Sequence, residues 1–176
     1  DWSSDVCSSD LTTAAETNEA YLAGLCDVYT TDASGLAANR TTFPDPSAHV
    51  ILPEIVSKEP LGPVTRQGDE VWGDIVRWTL NAMIIAEELG ITSANAADMA
   101  ADADASAGVK RLLGVEGGYG AMLGLSDDAF LNALSQVGNY AESFERNVGP
   151  DTAVGLERGL NALWTDGGIL YAPPFR

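Results

Sequence analysis

The sequence has few of the residue types on which most enzyme and metal sites depend. Its 176 residues include one histidine, two cysteines and nine lysines and arginines. A Ser-His-acid triad would have to use His49, which lies between Ala48 and Val50 in an apolar stretch. The sequence patterns of zinc proteases, of α/β-hydrolases and of the Walker A loop are also missing. We therefore expect no catalytic residue, no bound metal and no cofactor.

The charge balance is strongly acidic, with 26 aspartates and glutamates and a net charge of −17. The basic residues are scattered and form no patch. Nucleic acids and anionic lipids are bound mainly through clustered lysines and arginines, so neither is an expected partner. A solvated acidic surface that favours solubility explains the charge.

Long hydrophobic runs are absent as well. The most apolar stretch, residues 80–86, contains Asn81 and is followed at once by Glu87 and Glu88. A membrane helix needs about 20 apolar residues, so we expect no direct membrane insertion. The chain also does not open with a basic and apolar signal peptide.

The first ten residues, DWSSDVCSSD, have no apolar periodicity and resemble the translation of a sequencing adapter. We interpret residues 1–10 as a non-native segment joined to a gene that was cut upstream; a natural Ser/Asp-rich tail is the alternative. Cys7 lies in this segment, so only Cys26 carries information. It would either pair with a cysteine of the upstream part or serve as a small buried residue at the start of a strand.

The first part of the chain mixes helices with short strands. A helix is predicted over 12–25, closed by Gly24, and a β-branched strand over 27–31. A short helix over 33–39 and a second strand over 49–52 follow. The stretch 53–64 is punctuated by prolines, which favours an extended crossing between two lobes.

The second part is predicted to be nearly all helical. The strongest helix begins after Asp69 and ends near Leu89; an Ala-rich helix follows, and one long helix is predicted from Ser126 to Gly149. A last helix is predicted over 151–164. This part has too few strands for a sheet of its own, so we expect the missing strands upstream.

The most informative motif is GLCDVYTTD at 24–32, in which a strand ends on an aspartate. At the carboxyl end of a strand, facing the crevice of an α/β sheet, the Asp32 carboxylate can accept two charge-assisted hydrogen bonds from the ammonium of an amino acid. The alternative is that Asp32 only caps the helix that begins at Ala33.

This motif and many later segments resemble the general L-amino-acid-binding subfamily of type II periplasmic binding proteins. The resemblance covers essentially all of the chain after residue 10 and is carried by SGL at 34–36, VILPEIVSKEPLGPVTRQGD at 50–69, the WxDIVxWTL run from 72, KRLLG at 110–114, VGNYxExFERNxG at 137–149 and RGLNALW at 158–164. It implies a truncated α/β fold. Residues 11–57 would end the second lobe, 58–61 would be the hinge crossing, and 62–176 would complete the first lobe.

The resemblance also implies the function, which is the capture of L-amino acids with broad specificity in the periplasm and their delivery to an inner-membrane ABC permease. By position, Asp32 would meet the ligand ammonium, Thr31 would border the ligand side chain, and Glu59, Pro60 and Leu61 would belong to the hinge. The arginine that clamps the ligand carboxylate in this family is not in the chain. The full-length protein is expected to be monomeric.

Two other functions stay open at this point. One is a dehydratase-like enzyme on the same fold, since a fold does not fix a function. The other is the ligand-sensing domain of a receptor.

Overall fold

The computed structural model describes residues 6–7 and 13–176, which divide into two compact units. The first unit contains the described residues up to Leu61 together with Val148–Leu156. The second contains Gly62–Asn147 and Glu157–Arg176. The interpretation of residues 1–10 as non-native falls mostly outside the described residues. The sequence did not predict that Val148–Leu156 would group with the first unit.

The first unit begins with a two-residue strand β1, Val6–Cys7, and helix α1, Ala14–Leu22. Thr13 and Glu16 cap the start of α1 reciprocally, each side chain accepting a backbone N–H of the other. The helix ends before Gly24, which has a φ of 70° that a glycine adopts at no steric cost. The predicted helix is confirmed, with shorter ends.

Strand β2, Val28–Tyr29, pairs in parallel with β1, with Val6 opposite Val28 and Cys7 opposite Tyr29. Helix α2, Ala33–Thr41, follows directly, and a 3₁₀ turn spans Pro46–Ala48. The predicted strand at 49–52 is wrong: among the described residues, 49–68 contain neither strand nor helix. His49 has an extended backbone, but a strand requires a hydrogen-bonded neighbour, and none is paired with it here.

A small aromatic cluster joins the elements of the first unit. The rings of Tyr21 in α1, Tyr29 in β2, Phe43 and His49 have centroids 4.8–5.9 Å apart. The Tyr21 hydroxyl lies 2.9 Å from His49 Nδ1, so the single histidine is held within the packing. Because the Tyr29 ring lies 5.9 Å from that of Tyr21, the cluster ties β2 to α1.

The second unit opens with helix α3, Glu70–Glu88. Asp69 accepts the Trp72 N–H at 3.1 Å, and the chain leaves the helix at Gly90, whose φ is 69°. The prediction for this helix is confirmed at both ends. Its apolar face is only partly covered, since Trp72 is 53% exposed whereas Ala82, Ile84, Ile85 and Ala86 are buried.

Five shorter helices follow: α4, Ala96–Ala101; α5, Ala107–Leu112; α6, Tyr119–Met122; α7, Ala129–Val137; and α8, Tyr140–Asn147. The single helix predicted over 126–149 is therefore wrong. Gly138, with a φ of 83°, ends α7. Asn139 and Glu142 then form a reciprocal pair, each side chain accepting the backbone N–H of the other at 2.9 Å, and this pair starts α8.

The helix predicted over 151–164 is also wrong. The segment contains turns and a 3₁₀ turn at Gly159–Asn161, and a second 3₁₀ turn follows at Trp164–Asp166. Gly155 and Gly159 have φ values of 65° and 49°, which interrupt a right-handed helix.

The core of the second unit is apolar and is closed by the chain's last residues. Its largest fully buried side chains are Phe130, Ile91, Leu112, Leu113 and Leu134. The ring of Phe175 packs edge-on against Trp78, Tyr119 and Phe130, each with a centroid distance of 5.2 Å. Among the described residues, none of the helices has the length and apolar character needed to cross a membrane.

Candidate ligand-binding site

Asp32 stands between the end of β2 and the first turn of α2. Its backbone is extended, with φ −60° and ψ 150°, and its side chain accepts the Gly35 N–H at 2.7 Å. The Ser34 hydroxyl also donates to this carboxylate, at 2.5 Å. The helix-capping role that the sequence left open is therefore present in the structure.

The two oxygens of the Asp32 carboxylate are used unequally. Both hydrogen bonds of the cap are made to Oδ1. Among the described residues, the only hydrogen bond to Oδ2 comes from the Thr31 hydroxyl, at the long distance of 3.5 Å. An ionised carboxylate has about four acceptor positions, so Oδ2 keeps room for a further donor. Capping the helix and binding a cation are thus compatible roles for one side chain.

The surroundings keep Asp32 charged. The Ser34 hydroxyl and the Gly35 N–H donate to the carboxylate and hold the pKa of Asp32 below its usual range. The group is therefore ionised at neutral pH, and it is only partly buried. A negative oxygen with spare acceptor capacity at a strand end is suited to an ammonium group.

Thr31 and Tyr29 flank this carboxylate. Thr31 is exposed and precedes Asp32, so the structure brings the two predicted ligand residues together. The Tyr29 hydroxyl accepts a hydrogen bond from Asn39 Nδ2 at 3.2 Å, which ties β2 to α2. Burial raises the pKa of Tyr29, and the charge of Asp32 raises it further, so the phenol stays neutral.

The predicted hinge residues lie at the end of the first unit. Glu59, Pro60 and Leu61 form a tight turn in which the Leu61 N–H donates to the Glu59 carbonyl at 2.8 Å. The Ser57 hydroxyl lies 3.5 Å from the Glu59 carboxylate. Among the described residues, no hydrogen bond connects this turn to Thr31 or Asp32.

A cavity of about 630 Å³ in the same unit is lined by other residues, among them Arg40, Ser47, His49 and Ile51. Neither Asp32 nor Thr31 lines it. Within the residues that the structure describes, no three or more histidines, cysteines, aspartates or glutamates are grouped to hold a metal ion.

Sequence reasoning identified Asp32 but missed Ser34 and Gly35, which hold its carboxylate. The signal is local: Asp-x-Ser-Gly at 32–35 places a hydroxyl and a free backbone N–H within one turn of the aspartate.

Several known proteins are similar to this chain. It is 56% identical over 162 residues to the glutamate/glutamine/aspartate/asparagine-binding protein BztA of Rhodobacter capsulatus, covering 92% of this chain and 48% of that protein. It is 55% identical to the general L-amino acid-binding periplasmic protein AapJ of Rhizobium johnstonii, covering 92% of this chain and 47% of that protein. The chain therefore spans about half the length of the curated relatives it matches. No protein-family model matches the chain.

A solved structure matches the fold. It is an ABC transporter periplasmic binding protein from Brucella ovis with glutathione bound, 48% identical, with a TM-score of 0.87 over 94% of this chain and 52% of that one. The fold is therefore that of part of a periplasmic binding protein. The resemblance drawn from the sequence motifs is confirmed.

Proposed function

Since this chain is homologous over nearly its whole length to amino-acid-binding periplasmic proteins of ABC transporters, we propose that it is the C-terminal part of such a solute-binding protein. The complete protein captures small molecules in the periplasm and delivers them to an inner-membrane permease. It binds its ligand reversibly and does not transform it.

The ligand class is defined by a shared chemical group. The relatives are named for glutamate, glutamine, aspartate and asparagine, or for L-amino acids in general, and the solved neighbour holds glutathione. Glutathione links its glutamate through the side chain, so that residue keeps a free α-ammonium and a free α-carboxylate. We infer that the site recognises this α-amino-acid end and tolerates different groups beyond it.

The observation that carries the proposal is the free capacity of Asp32 Oδ2. One carboxylate oxygen is engaged in the helix cap, while the other has a single long hydrogen bond. Asp32 Oδ2 accepts the ligand ammonium, and the exposed Thr31 borders the ligand side chain. The carboxylate of the ligand is held by residues that lie outside this chain.

The division of the structure supports a hinge at residues 58–61. The N-terminal segment of the first unit ends at Leu61 and the second unit begins at Gly62, and residues 58–61 have no regular secondary structure; Val148–Leu156 also groups with the first unit. In this proposal residues 11–57 end one lobe and 62–176 complete the other. The ligand then shifts the equilibrium towards the closed state, by an amount set by the difference between its affinities for the closed and open states.

A dehydratase-like enzyme is disfavoured by the chemistry of the site. The single histidine, His49, is hydrogen-bonded to Tyr21 in the aromatic cluster. Among the described residues, no hydrogen bond joins it to Asp32. The relatives are named as amino-acid-binding proteins, one of them as a putative amino-acid ABC transporter-binding protein. We therefore retain binding as the function, and a receptor-sensing role has no separate support.

Titration calorimetry on the complete protein tests this proposal. The panel contains glutamate, glutamine, aspartate, asparagine, leucine and glutathione. We expect binding of several amino acids and of glutathione, each recovered unchanged after incubation. Failure to bind any compound with a free α-amino-acid end, or chemical conversion of a bound one, would contradict it.

A further inference from the structure

Gly35 lies in the first turn of α2, directly against the Asp32 carboxylate. A Cβ atom built on Gly35 would lie 2.7 Å from Asp32 Oδ2, 3.3 Å from Cγ and 3.4 Å from Oδ1. Side-chain carbons essentially never approach another heavy atom below 3.0 Å. The observed orientation of the carboxylate is therefore compatible only with glycine at position 35.

Backbone conformation does not account for this glycine. Gly35 is not among the glycines with positive φ, so its backbone is one that any residue adopts. Alanine is also favoured over glycine inside a helix, because glycine loses more conformational freedom on folding. The close approach of the Asp32 carboxylate is the feature that alanine would disturb.

We propose that Gly35 is a positioning residue for ligand binding, because its missing side chain sets the orientation of the Asp32 carboxylate. Its N–H donates to Oδ1, and its bare Cα leaves room for Oδ2, the oxygen with free acceptor capacity. This inference rests on the proposed role of Asp32 as the partner of the ligand ammonium.

Gly35→Ala should therefore lower the affinity for the ligand without lowering the stability of the fold. The three atoms nearest to an added Cβ at position 35 all belong to the Asp32 carboxylate, the end of a short, rotatable side chain, so the carboxylate can turn while the helix stays formed. Ser34 still donates to the carboxylate, so part of the cap remains. The atom that must move is Oδ2, the proposed partner of the ligand ammonium, so the substitution should weaken ligand binding.

The test compares Gly35→Ala with Gly108→Ala in the complete protein. Gly108 is a matched control, because it also lies in the first turn of a capped helix, α5, and its added Cβ would meet nothing closer than 3.9 Å. Calorimetry with glutamate should show roughly tenfold weaker binding for Gly35→Ala, the scale of a partly lost charged hydrogen bond. The thermal midpoint should stay equal or rise. Gly108→Ala should bind like the parent.

A double-mutant cycle with Asp32→Asn shows whether Gly35 acts through the carboxylate. Gly35→Ala should cost no further affinity once Asp32 is neutral. An NMR titration should also show the pKa of Asp32 moving towards its usual value in Gly35→Ala, because turning the carboxylate weakens its hydrogen bond from the backbone N–H of residue 35. Unchanged affinity in Gly35→Ala beside a clear loss in Asp32→Asn overturns this inference alone. Unchanged affinity in both removes the proposed role of Asp32 as well.

Discussion

Arg158 Nη2 donates to both carboxylate oxygens of Glu87, at 2.9 and 3.1 Å, across 71 residues of sequence. The two side chains are only 18% and 13% exposed. The guanidinium also lies 5.3 Å from the ring centroid of Tyr140 and 5.4 Å from that of Phe144. This pair ties the C-terminal segment to helix α3 inside the second unit.

We expect Arg158→Leu to lower the free energy of unfolding by about 2–4 kcal/mol, because it leaves the Glu87 carboxylate mostly buried without its partner. Urea unfolding of the complete protein measures the effect. The control is Arg77→Leu, which removes an exposed i,i+3 pair with Asp74 and should cost less than about 1 kcal/mol. Equal effects of the two substitutions would show that the Arg158 pair contributes no more than a surface pair.

Glu142 should make stability depend on pH. Burial raises the pKa of this carboxyl, but hydrogen bonds from Ser93 and Asn139 outweigh it, and the pKa lies below its usual range. The Ser93 hydroxyl donates at 2.6 Å, and the Asn139 N–H at 2.9 Å. A lowered folded-state pKa stabilises the fold above the unfolded-state value, about 4.3 for Glu, and this contribution is lost as pH falls through the folded-state value.

Glu142→Gln should therefore destabilise the protein at neutral pH by about 1.5–3 kcal/mol, the range for hydrogen bonds to a charged group. The difference from the parent should shrink as the pH falls from the unfolded-state pKa, about 4.3, through the lower folded-state pKa, because the parent's carboxylate is then protonated. Unfolding curves across this range check both statements. Glu145→Gln, an exposed change on the same helix, is the control. A difference independent of pH would mean that charge is not the source.

The exposed apolar side chains of residues 50–64 should make the isolated 176-residue chain associate. Val56 is 86% exposed and Val64 is 96% exposed, and neighbouring Val50, Leu52, Ile55 and Leu61 are also exposed. Exposed apolar side chains in this number favour association. Sedimentation should show concentration-dependent species, and Val56→Ser with Val64→Ser should reduce them. A monodisperse chain that also binds amino acids tightly would contradict the expectation.

Elements with local signals were predicted well from the sequence. Asp69 and Gly90 bound α3 as their residue types require, and Gly24 ends α1. The break between α7 and α8 has a local signal too, since Gly138 is followed by Asn-x-x-Glu, but the continuous apolar spacing across it favours a single helix.

The remaining errors have two causes, one non-local and one local. Residues 49–52 have the composition of a strand, but a strand exists only where another strand pairs with it, and sequence composition does not show that. Residues 151–164 contain helix-forming side chains, yet Gly155 and Gly159 take left-handed conformations. At the site, Asp32 was predicted from its position after a strand, and its role as a ligand residue stays a prediction. The role of Gly35 depends on a 2.7 Å approach that only coordinates reveal.

The measurement that tests the central claim most directly compares glutamate with glutarate, which is glutamate without its ammonium, in the parent and in Asp32→Asn of the complete protein. If Asp32 Oδ2 accepts the ammonium, Asp32→Asn should weaken glutamate binding by about 1.5–3 kcal/mol, the value of a hydrogen bond to a charged group. Glutarate affinity should be unchanged or improved, because no ammonium is lost. If Asp32 serves only as the cap of α2, the substitution will change the affinity for both ligands equally or for neither, and that result would contradict the account.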